Sequence, residues 1–266
     1  MSLTDEESRK IDRVVDLLDD CRSLLFVTGA GISADSGLPT YRGIGGLYDA
    51  DRTEEGFAIE EVLSGPMIRR APELTWKYLI QIARAARGAR HNRGHEVIAQ
   101  LERHFERVWT LTQNVDGYHR AAGSQRLIEI HGDLHDVYCV NCSWRQHVTD
   151  YDAIEFPPRC PQCGSIVRPD VVLFGEYLPP DKVQQLRAEC RRGFDAVFSV
   201  GTTSVFPYIV EPVWQAHQQG RPTIEINPGE TAISDWVDVK LAMRAAPALD
   251  AIWTRYRQRQ GAGGTG

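Results

Sequence analysis

Leu24-Leu25-Phe26-Val27-Thr28-Gly29-Ala30-Gly31-Ile32-Ser33-Ala34-Asp35-Ser36-Gly37 joins an apolar run of strand length to a turn of small residues. In α/β proteins such a junction is where phosphate groups are received, because the N–H groups opening a helix face an anion. Gly29 and Gly31 are expected to let the backbone turn tightly and approach a ligand that a Cβ would exclude. The spacing Gly29-x-Gly31-x-x-Ala34 fits a dinucleotide pattern with Ala at its third position. A tight strand-to-helix turn without a ligand has the same signature, so the stretch decides fold class before it decides function.

Outward from it, the chain alternates. Ile11, Val14, Val15, Leu17 and Leu18 recur at helical spacing among charges and predict an amphipathic helix over 5–20 ahead of the strand at 24–28. Residues 40–48 are glycine-dense and read as a long functional loop, and 58–104 turns helical with Pro66 and Pro72 as punctuation. Arg84, Arg87, Arg90 and Arg93 make that region locally basic, either as a solvated helix face or as an attraction for an acidic partner. Further strands are expected at 108–112, 127–130, 194–200 and 222–226. Each runs into polar or small residues: Gln113-Asn114-Val115-Asp116, His131-Gly132, Gly201-Thr202-Thr203-Ser204 and Asn227. With helices at 181–192 and 208–219, the alternation indicates a doubly wound α/β sheet whose strand ends carry the chemistry. The Gly-rich segment 259–266 reads as a disordered tail.

At 266 residues the chain can bury a sizeable core as one large domain or two modest ones. A net charge of −6 argues against sequence-independent binding to nucleic acid, and no apolar run approaches the length of a membrane span. The N-terminal Met-Ser-Leu-Thr-Asp-Glu-Glu-Ser lacks the basic and apolar regions of a secretory signal, so a soluble cytoplasmic protein is expected. Its six cysteines then read as thiols or metal ligands. Cys139-Val140-Asn141-Cys142 and Cys160-Pro161-Gln162-Cys163 stand 17 residues apart, inside the spacing of a four-thiolate zinc site. Four protein ligands close such a site to water and substrate, so the zinc is expected to be structural. Cys21 and Cys190 read as inert, partly buried thiols.

In one order along residues 20 to 250, these motifs resemble a bacterial-type sirtuin, a member of the family of NAD-dependent protein lysine deacylases. The resemblance rests on Gly29-Ala30-Gly31-Ile32-Ser33, Ser36-Gly37, Tyr41-Arg42-Gly43, Thr112-Gln113-Asn114-Val115-Asp116, His131-Gly132, the two cysteine pairs, Arg168 through Glu176, Gly201-Thr202 and Asn227. It implies a Rossmann-like parallel sheet (1–41, 111–135 and 168–258) with a smaller zinc-ribbon plus helical domain inserted (42–110 and 136–167). It also implies NAD as co-substrate, acylated-lysine proteins as partners, and release of nicotinamide and O-acyl-ADP-ribose. Neither nucleic acid nor membrane is an expected partner.

The same resemblance distributes roles. His131 is the expected general base, with an ordinary pKa near working pH. Gln113 and Asn114 are expected on the nicotinamide ribose, and Asp116 with Ile32 on the carboxamide, where a carboxylate can accept N–H. Ser33 with Gly29, Ala30 and Gly31 is expected to face phosphate oxygens, Tyr41 and Arg42 to belong to the cofactor loop, and Gly201, Thr202, Ser204, Asn227 and Ala245 to hold the adenosine half. Val172, Phe174, Gly175, Glu176 and Val205 are expected to sandwich the substrate as an added strand. Tyr41 replaces the family's usual Phe, and 201–207 is one residue shorter than the usual loop. Tyr78 is followed three residues on by Gln81, not Arg, so the pair that marks succinyl and malonyl preference is missing and an uncharged acyl group is expected. Two other readings use the same motifs: mono-ADP-ribosyl transfer to protein, and a non-catalytic NAD-sensing scaffold.

Overall fold

The computed structural model describes residues 3–38, 52–85, 88–151 and 154–263. In chain order the elements are α1 (Asp5–Leu18), β1 (Ser23–Thr28), α2 (Ala30–Ala34), α3 (Ile59–Val62), α4 (Gly65–Arg70), α5 (Pro72–Ala85), α6 (Arg93–His104), β2 (Arg107–Thr112), α7 (Tyr118–Ala121) and β3 (Leu127–Glu129). They continue as β4 (Gly132–Cys139), β5 (Arg145–His147), β6 (Val167–Val171), α8 (Pro180–Arg192), β7 (Ala196–Val200), α9 (Pro207–Gln218), β8 (Thr223–Ile226), β9 (Val239–Leu241) and α10 (Ala245–Gly263). Two sheets result. A parallel sheet has the order β3-β2-β1-β7-β8-β9, and an antiparallel one the order β5-β4-β6.

The opening stretch lies at the centre of the parallel sheet. All six residues of β1 are buried, as are those of β7 and β8, which is why these strands read as unbroken apolar runs. Successive side chains point to opposite faces. Leu24 and Phe26 join a core with α1, α6 and α10, where the rings of Phe26 and Phe198 stack at 4.7 Å. Leu25 and Val27 join the other core with α8 and α9. The sheet is therefore covered by helices on both faces, the doubly wound α/β arrangement.

Helix α1 ends at Leu18, two residues short of its expected end. It is started by Thr4, whose hydroxyl accepts from the Glu7 N–H at 3.2 Å while the Glu7 carboxylate accepts from the Thr4 N–H at 2.8 Å. At the other terminus α10 continues to Gly263, so 259–263 is helix where a disordered tail was expected. Arg259 holds it, pairing with Asp16 on α1 at 2.6 Å and with Asp19, which caps that helix, at 2.8 Å.

The small sheet builds a core of its own with α3, α4 and α5, in which Trp76 is 1% exposed and donates its indole N–H to the Val167 carbonyl at 2.9 Å. Helix α6 is not part of it. Val97, Ile98 and Leu101 pack with α10 on the parallel sheet, and Arg93 pairs with Asp250 at 2.7 Å. Helix α6 thus lies against the parallel sheet within the span 42–110 expected for the small domain, and β6 pairs 167–171 with β4 in the small sheet within the span 168–258 expected for the large one. Helical periodicity identifies an apolar stripe without saying which sheet it covers.

Candidate active site

The strand order reverses between β1 and β7: the chain first builds outward through β2 and β3, then returns to add β7, β8 and β9 on the other side. Ligands of open α/β sheets bind in the crevice beyond the strand ends at such a switch point. The segments flanking it are 29–34 after β1 and 201–204 after β7, with 113–116 after β2 alongside.

These segments are locked to one another. A Cβ on Gly31 would lie 2.6 Å from the Gly201 Cα, and one on Gly29 would lie 2.8 Å from both the Gly201 oxygen and the Thr202 Cβ. The Gly31 N–H donates to the Gly201 carbonyl at 2.8 Å. Glycine is thus required at both positions by the neighbouring backbone, and the Gly31 N–H is paired within it. Gly201 itself adopts φ +60°, where a side chain would be strained.

Ser33 was expected on phosphate oxygens. It is instead 2% exposed, donates its hydroxyl to Asp116 at 2.6 Å and accepts from Asn114 Nδ2 at 3.2 Å. Asn114 also donates to the Gly29 carbonyl at 3.1 Å, and the Tyr118 N–H donates to Asp116 at 3.0 Å. Burial raises the Asp116 pKa, opposed by these two hydrogen bonds to its oxygens. Ile32, expected beside the carboxamide, has its side chain fully buried in the core, and its carbonyl accepts from Asn92 Nδ2 at 2.7 Å.

Gln113 reaches across the switch point, donating to Thr202 Oγ1 at 2.9 Å. Asn227 donates to the Thr202 carbonyl at 3.1 Å and accepts from the Gly229 N–H at 3.0 Å. Ser204 is 1% exposed, with its hydroxyl turned to Ser199 at 3.3 Å. Ala245 opens α10 inside the core, beside α2, where the Ala246 N–H donates to Asp35 at 2.8 Å. The Ser204 hydroxyl is engaged within the protein, and Ala245, expected as a backbone contact, has its side chain in the core. Tyr41 and Arg42 lie outside the described residues.

His131 stands between β3 and β4. Its Nδ1 is 3.0 Å from the Gln113 carbonyl and its Nε2 is 2.7 Å from the Tyr208 hydroxyl. A carbonyl only accepts, so Nδ1 carries the proton of the neutral ring and Nε2 the lone pair. Burial lowers the His131 pKa; the Gln113 contact opposes this and the charge of Lys182 adds to it. Gly132 follows at φ +90°, and a Cβ there would lie 1.8 Å from the Asp170 oxygen. Only glycine allows β4 to start this close to β6.

The expected substrate segment begins beside the histidine, with the Val172 N–H donating to the His131 carbonyl at 2.8 Å. The Phe174 N–H donates to Leu63, and the Leu173 N–H to the Glu176 carboxylate. Phe174 and Val205 are exposed, and Gly175 turns at φ +77°. Glu176 departs from expectation: both oxygens meet the buried Arg168 guanidinium, at 2.7 and 2.8 Å, so its carboxylate supports the segment from within.

The four cysteines converge, with all sulfurs within 4.8 Å of one another, Cys139 and Cys163 at 3.4 Å, and Cys142 and Cys160 at 3.6 Å. A tetrahedral zinc with Zn–S of ~2.3 Å implies edges of ~3.8 Å, so the donor set fits the metal. Cys21 and Cys190 stand apart, and burial pushes both thiols up to about 11.

Sequence reasoning missed Tyr208 and Asn92. Asn92 was findable as a helix cap: its side chain accepts from the Gly94 N–H at 2.9 Å, and Asn before a periodic apolar run is a start signal. Tyr208 carries no such signal.

The Sir2 family model matches residues 29–207. NAD-dependent protein deacylase 2 of Pseudomonas aeruginosa is 53% identical over 245 residues, covering 91% of this chain and 95% of that protein. NAD-dependent protein deacylase of Aquifex aeolicus is 35% identical, covering 91% and 98%. A Sir2 homologue solved as an NAD complex superposes with a TM-score of 0.83 at 33% identity, covering 93% of this chain and 94% of the other. A Sir2 structure with a deacetylated peptide and O-acetyl ADP-ribose gives 0.82 at 27% identity, covering 92% and 98%. On the family match and on relatives spanning nearly its whole length, this chain belongs to the Sir2 family.

Proposed function

We propose that the chain is an NAD-dependent protein lysine deacylase acting on acetyl or another uncharged acyl group. The observation that carries the reading is His131: a half-buried imidazole with its proton fixed on Nδ1 and its lone pair on Nε2, set beside the Asn114–Ser33–Asp116 cluster at the switch point. Binding alone has no use for a positioned base. Relatives named as NAD-dependent protein deacylases support the same reaction.

NAD would supply an activated ribose carbon: the acyl oxygen would bond to it as the bond to nicotinamide breaks, and water would then add at the acyl carbon so that free lysine and O-acyl-ADP-ribose leave. On this reading Nε2 of His131 takes a proton from a ribose hydroxyl. Gln113 and Asn114 orient the ribose, Asp116 accepts from the carboxamide, and Thr202 and Asn227 hold the adenosine half. Phe174 and Val172 line the path of the acylated lysine. The zinc ties the two cysteine pairs together and takes no part in the chemistry. Among the described residues, we assign 52–85, 132–151 and 154–171 to the small module and the others to the NAD-binding sheet.

The test is mass spectrometry of peptides bearing a panel of acyl-lysines, incubated with NAD and either the native chain or His131→Ala. Native protein should release nicotinamide and deacylated peptide, and the variant should lose roughly 100-fold or more in kcat. Native protein that releases neither from any peptide of the panel would overturn the reading.

A further inference from the structure

Tyr208 occupies the one position on His131 from which the base can act. The Gln113 carbonyl keeps the proton on Nδ1, so the neutral ring has a single in-plane lone pair, on Nε2, and the Tyr208 hydroxyl donates to it at 2.7 Å. A ribose hydroxyl needs that same lone pair to give up its proton. We propose that Tyr208 is a latch on the general base, a positioning residue that masks Nε2 in the unliganded chain and is displaced by the ribose hydroxyl of NAD. The proposal rests on the reading of His131 as the base.

The local fold explains how Tyr208 comes to be there. Gly201 and Ser204 both adopt left-handed conformations, at φ +60° and +55°, and turn the chain from β7 into the start of α9. Pro207 opens that helix and Tyr208 follows it. Its ring stacks on Phe206 with centroids 5.6 Å apart and planes at 18°, and both rings meet His131 edge-on, Phe206 at 6.3 Å and Tyr208 at 5.9 Å. Burial pushes the phenol up to about 12, so it remains a donor across the neutral range. The ring is held by packing and the hydroxyl by one hydrogen bond, an arrangement in which a competing hydroxyl can displace the bond without moving the helix.

Tyr208→Phe removes the hydroxyl and leaves the aromatic stack. Displacing one hydrogen bond of ordinary net strength corresponds to a factor of roughly 3 to 10, so KM for NAD, and its directly measured Kd, should fall by that amount with kcat within about twofold of native. Nitrogen NMR of the imidazole gives the second readout. In the unliganded variant the His131 Nε2 resonance should move toward that of an unbonded ring nitrogen while Nδ1 stays protonated. An unchanged Nε2 resonance, or a KM that stays or rises, would overturn the latch, as would a fall in kcat at constant KM, which would make Tyr208 a support of the base. A full kcat in His131→Ala would instead remove the base on which the latch depends, while the NMR comparison still reports whether the hydrogen bond exists.

Discussion

Burial holds the His131 imidazole below its ordinary pKa, against the Gln113 carbonyl, which favours the charged ring, and with the charge of Lys182, which does not. A general base acts in its neutral form, and protonation removes it. With the folded pKa lowered, the acid limb of kcat/KM for NAD should have its midpoint below the ordinary histidine value of about 6.5, a limb absent from any residual His131→Ala activity. A pH–rate profile checks this, and a midpoint above 6.5 would contradict it. His131, Gln113, Asn114 and Asp116 were legible because each follows an apolar run at the carboxyl end of a strand. The partners that define their chemistry were not. Ser33 meets Asp116 across 83 residues and Tyr208 meets His131 across 77, contacts that exist only once the sheet has brought β1, β2 and β7 into register. The sequence does not show that the Ser33 hydroxyl bonds Asp116 or that the Ile32 side chain packs in the core.

The stretch from Val172 to Glu176 was expected to lie open for pairing with a substrate strand. Its N–H groups are largely engaged already: Val172 with His131, Leu173 with the Glu176 side chain, Phe174 with Leu63, and Glu176 with the Leu173 carbonyl. Gly175, at φ +77°, breaks the extended run. The element is better described as a loop braced from below by the Arg168–Glu176 pair, whose side chains are 9% and 20% exposed. Removing one partner of such a pair leaves a charge that burial penalises. Glu176→Ala should therefore cost about 2–4 kcal/mol in urea unfolding, and should raise KM for acyl-peptide more than KM for NAD. A loss under about 0.5 kcal/mol, the range of an exposed pair, would show that the brace is solvated. Sequence pattern could not reveal this role, since an acidic residue after Phe-Gly reads equally well as a substrate contact.

At the scale of the whole molecule, the two sheets differ in how they are held. The parallel sheet is sandwiched between two helical layers, and its central strands were legible because burial on both faces leaves no polar alternation. The small sheet has three strands, one of them the exposed three-residue β5, and covers its core with α3, α4 and α5. Sheets of this size depend on what packs against them. Cys139 and Cys160 are 4% and 3% exposed within that core, so a metal bound by the four sulfurs closes it from one end. Spacing revealed the cysteines; the helix allocation was not legible, because α5 and α6 have similar apolar stripes and only tertiary packing separates them. Zinc removal by a chelator should then act locally. Amides of β4 and β5, such as those of Tyr138 and Gln146, should lose hydrogen-exchange protection while those of β1 and β7 keep theirs. Deacylase activity should fall in the same samples, because the Val172 N–H fastens the end of β6 to the His131 carbonyl and loosening the small sheet frees the base. Equal loss of protection in both sheets, or none in either, would mean that the metal does not hold the small sheet as a separate unit.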